Sequence, residues 1–362
     1  MTTKPVLPPT PESTSTPSLP DDLLITCIAP VPRLYYPILS LVSKSFRSLI
    51  VSPELYKTRA LLGQTESCLY VCLRSSHDTK PRWFTLCRIP DRNKYSSGIL
   101  LAPISSPDSP HAQSWRNHVA VGSNIYQIGG DVHSSSKVSV LDCKSHTWHE
   151  APSMEVVRNS SSTVSLLEGK IYVAGGCEDH DSANYVEAFD PKTQTWSSVA
   201  SPRTVKRYNG GSYKSLGLDG KLFLCRDDYW PSVYNLKEGR WNPVKSNTLF
   251  RIFIFAAYCV IDNVLFFWDG GRLKWYDYKK DISKSLKCVE GLPDFDHSWG
   301  CRKVVDNGGK MVVLWDKWDC CQNNRMIWCA EIALERCNED EICGKVEWFD
   351  FVLRVPGSCH IV

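Results

Sequence analysis

A chain of 362 residues has room for one large core and a small accessory unit. Its 43% apolar and 22% charged residues fit a soluble globular protein, and a net charge of +3 without a long Lys/Arg run offers no basic surface for nucleic acid or an anionic membrane. No run of about 18 apolar residues suggests a membrane-spanning helix, and no apolar segment near the N-terminus suggests secretion.

The sixteen cysteines include no Cys-x-x-Cys pair. Those in apolar, strand-like runs, among them Cys72, Cys225, Cys259 and Cys329, read as buried free thiols, so a reducing compartment is expected, cytoplasmic, nuclear or both. Cys329, Cys337 and Cys343 are spaced by eight and six residues, which matches no common zinc pattern. No metal and no cofactor are expected.

Residues 1–17 hold twelve Pro, Ser or Thr and read as disordered. At Ser18 the composition changes. Ser18 suits a helix cap, Pro20 a first turn, and Asp21 and Asp22 the positive end of a helix dipole. Leu23, Leu24, Cys27 and Ile28 then share a face at helical spacing. Pro30 and Pro32 end that helix. A second apolar set follows in Leu34, Ile38, Leu39, Leu41, Val42, Phe46, Leu49 and Ile50, and Ser52-Pro53 opens a last short helix before Gly63. Residues 18–63 carry more apolar side chains than so small a bundle can bury, which points to a permanent partner.

The run Leu19-Pro20-Asp21-Asp22-Leu23-Leu24, then Val31-Pro32-Arg33-Leu34-Tyr35-Tyr36-Pro37, then Leu39-Ser40-Leu41-Val42-Ser43-Lys44-Ser45-Phe46-Arg47-Ser48-Leu49, resembles the F-box carried by plant F-box/kelch proteins. The resemblance implies docking on a Skp-type adaptor and, through it, a cullin scaffold. It places Leu19, Pro20, Leu23, Leu24, Ile28, Val31, Pro32, Leu39, Val42 and Phe46 against the adaptor, with Lys44 and Arg47 at a polar rim. Some of these apolar residues must instead form the helices' own core, and the sequence does not sort the two groups.

From residue 64 onward the chain repeats. Ile125-Tyr126-Gln127-Ile128-Gly129-Gly130 returns as Ile171-Tyr172-Val173-Ala174-Gly175-Gly176. Each is followed by a strand ending in Asp, five residues and a Trp: Asp142 to Trp148, and Asp190 to Trp196. A third copy runs from Asn235 to Trp241. Repeats of this length, built from short alternating runs between Gly, Pro, Ser and Asp, are β-propeller blades. The double Gly suits a sharp strand exit where side chains would collide, and the spaced Trp suits the gap between neighbouring blades.

Diglycine followed by aromatic and Trp is the kelch signature. The rival WD40 pattern has Trp268-Asp269, Trp315-Asp316 and Trp318-Asp319 but no Gly-His partner at the right distance. Degenerate copies begin at Leu222, Val264 and Met311, and Leu69–Cys72 and Trp83–Leu86 read as middle strands of a first blade. The expected fold class is mainly β: a six-bladed kelch-type propeller over 64–362, preceded by a small all-α F-box unit over 18–63. Because the first blade starts at its second strand, residues 357–362 are expected to supply its innermost strand and close the ring.

No catalytic constellation is apparent. Gly-x-Ser-x-Gly, P-loop and dinucleotide motifs are missing. The nine histidines, among them His118, His133, His180 and His297, form no ligand set such as a copper oxidase needs, and Asp179-His180-Asp181 reads as a solvated loop tip. The family resemblance implies a non-catalytic receptor in a ubiquitin ligase, holding an unidentified target protein on the propeller. A kelch scaffold outside any ligase is the alternative.

The target face is expected on the loops between second and third strands (131–137, 177–184, 226–230, 268–272) and those joining blades (154–159, 202–207, 293–298). Arg116, Arg158, Arg207, Arg251 and Arg302 stand near the starts of innermost strands. If they point into the channel mouth, they form a basic ring for an acidic or phosphorylated segment, with Trp115, Trp230 and Trp299 as apolar anchors. Otherwise each Arg ties its strand to neighbouring carbonyls.

Overall fold

The four helices at the front begin and end where local chemistry dictates. Helix α1 (Asp21–Ile28) follows Pro20 and carries Asp21 and Asp22 in its first turn. A 3-10 turn (Arg33–Tyr35) leads into the short α2 (Tyr36–Leu39). Helices α3 (Lys44–Ile50) and α4 (Pro53–Leu61) are capped by Ser43 and Ser52, whose hydroxyls accept from the backbone N–H three residues on. This computed structural model describes residues 19–75, 81–89, 97–104, 117–130, 133–178, 184–202, 212–227, 229–293 and 299–361, with backbone alone at 299–302. The expectations for the 1–17 tail and for a Ser18 cap therefore lie outside the described residues.

Ile25, Ile28, Ala29, Tyr36, Leu49, Ile50 and Leu55 form the core of the helical unit. At its centre is an unforeseen buried charge. Arg59, 4% exposed, donates to the carbonyls of Ala29 (2.6 Å) and Val31 (2.7 Å), to the Tyr36 hydroxyl (3.0 Å) and to Glu66 (2.6 Å). One guanidinium thus ties α4 to the end of α1 and to the linker.

Beyond the linker lie six four-stranded antiparallel sheets. Blade one comprises Tyr70–Ser75, Arg82–Arg88 and Ile99–Pro103. Blade two comprises His118–Val121, Asn124–Ile128, Val138–Asp142 and Thr147–Ala151. Blade three has Thr163–Leu167, Lys170–Ala174, Val186–Asp190 and Thr195–Val199. Blade four has Tyr213–Leu218, Lys221–Arg226, Tyr229–Asn235 and Arg240–Pro243. Blade five has Ala257–Ile261, Val264–Asp269, Arg272–Asp277 and Ile282–Ser285. Blade six has Trp299–Asp306, Met311–Asp319, Asn324–Asn338 and Glu341–Pro356. The ring closes as expected: Cys359–Ile361 completes blade one, with Leu73 opposite Ile361 and Ser75 opposite Cys359.

The core is divided into layers between blades rather than gathered at one centre. Tyr126, Val138 and Val140 of blade two, for example, pack on Ile171, Val173 and Phe189 of blade three. The last layer joins Val312 and Leu314 of blade six to Leu73, Phe84 and Ile361 of blade one. The repeat grammar has a local cause. Asp142, Asp190, Asn235 and Asp277 each accept from the backbone N–H two residues on, closing the turn into the outer strand. The Trp after that turn reaches the preceding blade: the Trp196 indole donates to Pro152 O at 2.8 Å, and that of Trp241 to Ala200 O.

Two elements depart from the sequence expectation. Helix α5 (Asn247–Phe255), capped by Ser246, is inserted between blades four and five and buries Leu249, Ile252 and Phe253. Blade six carries an overlong outer hairpin with strands of 15 and 16 residues. Its tip reaches back to blade five, where Lys287 N–H donates to Ile342 O and Gly344 N–H to Lys287 O.

Candidate functional site

The structure sorts the F-box residues that the sequence left mixed. Ile28 is in the helical core, with Leu24, Val31, Leu39 and Phe46 packed partly against it. Leu19 (56% exposed), Leu23 (52%) and Val42 (62%) have no such cover, nor has Leu41 (75%), which sequence reasoning did not select. Pro20 and Pro32 are also exposed, as are Lys44 and Arg47. Leu41 lies in the turn after α2, where an apolar pattern read at helical spacing does not show which way a side chain faces.

In an antiparallel blade, the turns joining strands one to two and three to four share one end. The two-to-three turn and the exit to the next blade share the other. The F-box meets the first end: Arg33 Nη2 donates to Cys143 O (2.8 Å) and to the Tyr70 hydroxyl (3.3 Å), and the Tyr56 hydroxyl to Lys144 O (3.5 Å). Tyr70 also donates to Cys143 O (2.7 Å) and bonds His146 Nε2 (2.9 Å). Burial, reinforced by the Arg33 cation, holds the His146 imidazole down to about 4, so it is neutral near pH 7. Burial likewise pushes the Tyr56 phenol up to about 12.

Of the expected target residues with described side chains, Arg158, Trp230 and Arg251 belong to the opposite end, and they do not point into one channel mouth. Arg158 is fully buried. Its guanidinium pairs with Glu187 (2.6 Å), itself fully buried, and donates to the carbonyls of Gly175 (2.7 Å), Tyr185 (3.1 Å) and Asn184. The channel-mouth reading of Arg158 is therefore corrected: the side chain is consumed in tying blades together, as a buried guanidinium requires. Arg251 does not precede an inner strand directly; it is exposed on α5. Trp230, 40% exposed, opens a strand and packs on Phe250 of α5 with ring centroids 5.6 Å apart, beside exposed Tyr229. Arg302 lies opposite Trp315, and Trp299 opposite Lys317, in the inner strand pair of blade six. Trp115, Arg116 and Arg207 lie outside the described residues, as does Asp179-His180-Asp181.

Among the described residues no group of three His, Cys, Asp or Glu side chains is arranged to hold a metal. Cys329 is buried in the blade-six sheet, whereas Cys343 faces Cys288, with the two sulfurs 3.3 Å apart. Cys343 thus meets Cys288, 55 positions away in the chain, as well as its cluster neighbour Cys337, while Cys329 stays apart in the sheet. No helix among the described residues is long and apolar enough to cross a membrane.

The fold is a six-bladed β-propeller that carries a small helical unit with exposed apolar side chains on one end. An F-box domain model matches residues 17–58, and the model described as FKB95, Kelch-repeats domain matches residues 83–353. F-box/kelch-repeat protein At4g39590 of Arabidopsis thaliana is 51% identical, with 98% of this chain and 90% of the relative covered. At4g39580 is likewise 51% identical, over 97% and 94%, and At4g39550 is 50% identical, over 98% and 94%, both from the same organism. The chain belongs to the F-box/kelch-repeat family.

Proposed function

We propose that this protein is the substrate-recognition subunit of a Skp–cullin–F-box ubiquitin ligase. The observation that carries this reading is the set of exposed leucines and valine on the F-box, Leu19, Leu23, Leu41 and Val42, beside a helical core that is already filled. Apolar side chains left outside a completed core call for a partner surface. A Skp-type adaptor is the partner an F-box implies, and a cullin follows through it. The receptor itself performs no chemistry. It raises the local concentration of a bound target near the conjugating enzyme, to as much as the order of mM.

Co-expression with a Skp-type adaptor tests the reading. Leu23→Asp with Val42→Asp places two charges in the proposed interface while leaving the core leucines alone. The double variant should lose adaptor co-purification by at least tenfold with the propeller's melting unchanged. Wild-type recovery of adaptor would defeat the proposal. Capture of adaptor without cullin would favour a scaffold outside a ligase.

For the target, the supported surface is the end of the ring opposite the F-box, around Tyr229, Trp230 and Arg251. That end carries the exposed Tyr229 and Trp230 rings and the exposed Arg251 of α5, residue types that most often anchor protein interfaces.

A further inference from the structure

A cavity of about 900 Å³ lies between the F-box and blade one. Leu34, Ile38 and Ile50 line it from the F-box side, and Leu86, Ala102 and Ile104 from the propeller. Its volume is in the range of sites that enclose small molecules.

One charged group in its wall lacks a counter-ion. The partly buried Arg33 guanidinium donates to Tyr70 and to Cys143 O, both neutral acceptors. The Cys68 thiol beside it is kept neutral by burial, which pushes its pKa up. Glu66 lines the same cavity, but its Oε1 is engaged by Arg59 and by the backbone N–H of Arg33, each at 2.6 Å. Among the described residues no carboxylate pairs with the Arg33 guanidinium. Three further cations, Lys44, Arg47 and Lys144, line the cavity. Four cations thus face one carboxylate that is already paired. A partly buried cation bonded only to neutral acceptors is costly, and an anion would relieve that cost.

We propose that this cavity binds a small apolar molecule carrying a single carboxylate, with the acid on Arg33 and the hydrocarbon body along the F-box and blade-one walls. A planar carboxylate matches the guanidinium fork. A single carboxylate suffices because Arg33 is the one partly buried cation of the four, whereas Lys44, Arg47 and Lys144 are exposed to solvent. Since the walls come from both units, the ligand holds the F-box at a set angle on the propeller. The inference does not depend on adaptor binding.

The test is calorimetric titration of the full chain with decanoate and with decan-1-ol, both below their aggregation limits. Decanoate should bind at one site per chain, at least tenfold more tightly than the alcohol, and should raise the melting temperature. Arg33→Met should remove that tenfold preference while leaving the alcohol unchanged. Ala102→Phe, which fills the propeller side, and Ser48→Trp, which fills the F-box side, should each abolish binding of both probes. Absence of saturable decanoate binding, equal affinity for acid and alcohol, or undiminished binding in both filled variants overturns the proposal. If Arg33→Met does not fold, the acid–alcohol comparison and the filled variants decide it.

Discussion

Arg158 and Glu187 are 29 residues apart in the chain and meet where the exit of blade two passes blade three. Both are fully buried, so each depends on the other. Glu187→Ala leaves a buried guanidinium without its anion and should cost about 3–5 kcal/mol in urea unfolding. A loss below about 1 kcal/mol would show that water reaches the pair. The histidines carry a pH signature. Burial, together with a nearby cation in each case, lowers His118 and His146 from 6.5 to about 4. The unfolded chain takes up these protons first, so this contribution is complete above about pH 6.5 and is lost as pH falls towards 4. Unfolding free energy measured at pH 7 and pH 4.5 should drop, and His146→Gln should shrink that drop by about 1–2 kcal/mol. The residue types were legible in the sequence, but their partners were not. Nothing near Arg158 in the chain marks Glu187 as its counter-ion, so an inward-facing arginine looked like a ligand for an acidic target.

At the scale of elements, the repeat was readable because its marks serve local geometry. Gly175 has φ +72°, and a Cβ there would come within 2.5 Å of the Tyr213 ring. Gly175→Ala should therefore destabilise the fold by about 2 kcal/mol or more, a loss to be read from the urea midpoint. The Asp-to-Trp spacing was equally local, since it spans one turn and the start of the outer strand. The closing strand was legible by elimination, from a first blade short of its inner strand. Cys359 and Ile361 are both buried in the layer between blades six and one. Deleting 357–362 should lower the melting temperature by on the order of 10 °C, and an unchanged value would mean the ring holds without its clasp. Helix α5 was missed because Phe250-Arg251-Ile252-Phe253-Ile254-Phe255 is as apolar and aromatic as a strand. Its burial at Leu249, Ile252 and Phe253 follows a helical period that short apolar runs do not reveal.

For the whole molecule, the two surfaces proposed for adaptor and target lie at opposite ends of one ring, with the F-box at the end opposite the blade-joining connections. Trp230→Ala with Arg251→Ala should reduce target co-purification at least fivefold while adaptor co-purification stays at the wild-type level. Equal loss of both would mean the ends are coupled, and loss of neither would place the target elsewhere. The sequence alone determined the class of fold, the number of blades, the ring's closure and the F-box. Each of these is written in local spacings: helical faces, a turn-closing Asp, a double Gly, a returning Trp. Tertiary structure alone decided which F-box leucines are spare, that Arg158 is spent on Glu187, that α5 interrupts the blades, and that a cavity with an unneutralised Arg33 opens at the junction. The physical reason is that burial and charge pairing are properties of neighbours in space. In a ring of blades those neighbours come from turns and strands up to the whole chain length apart.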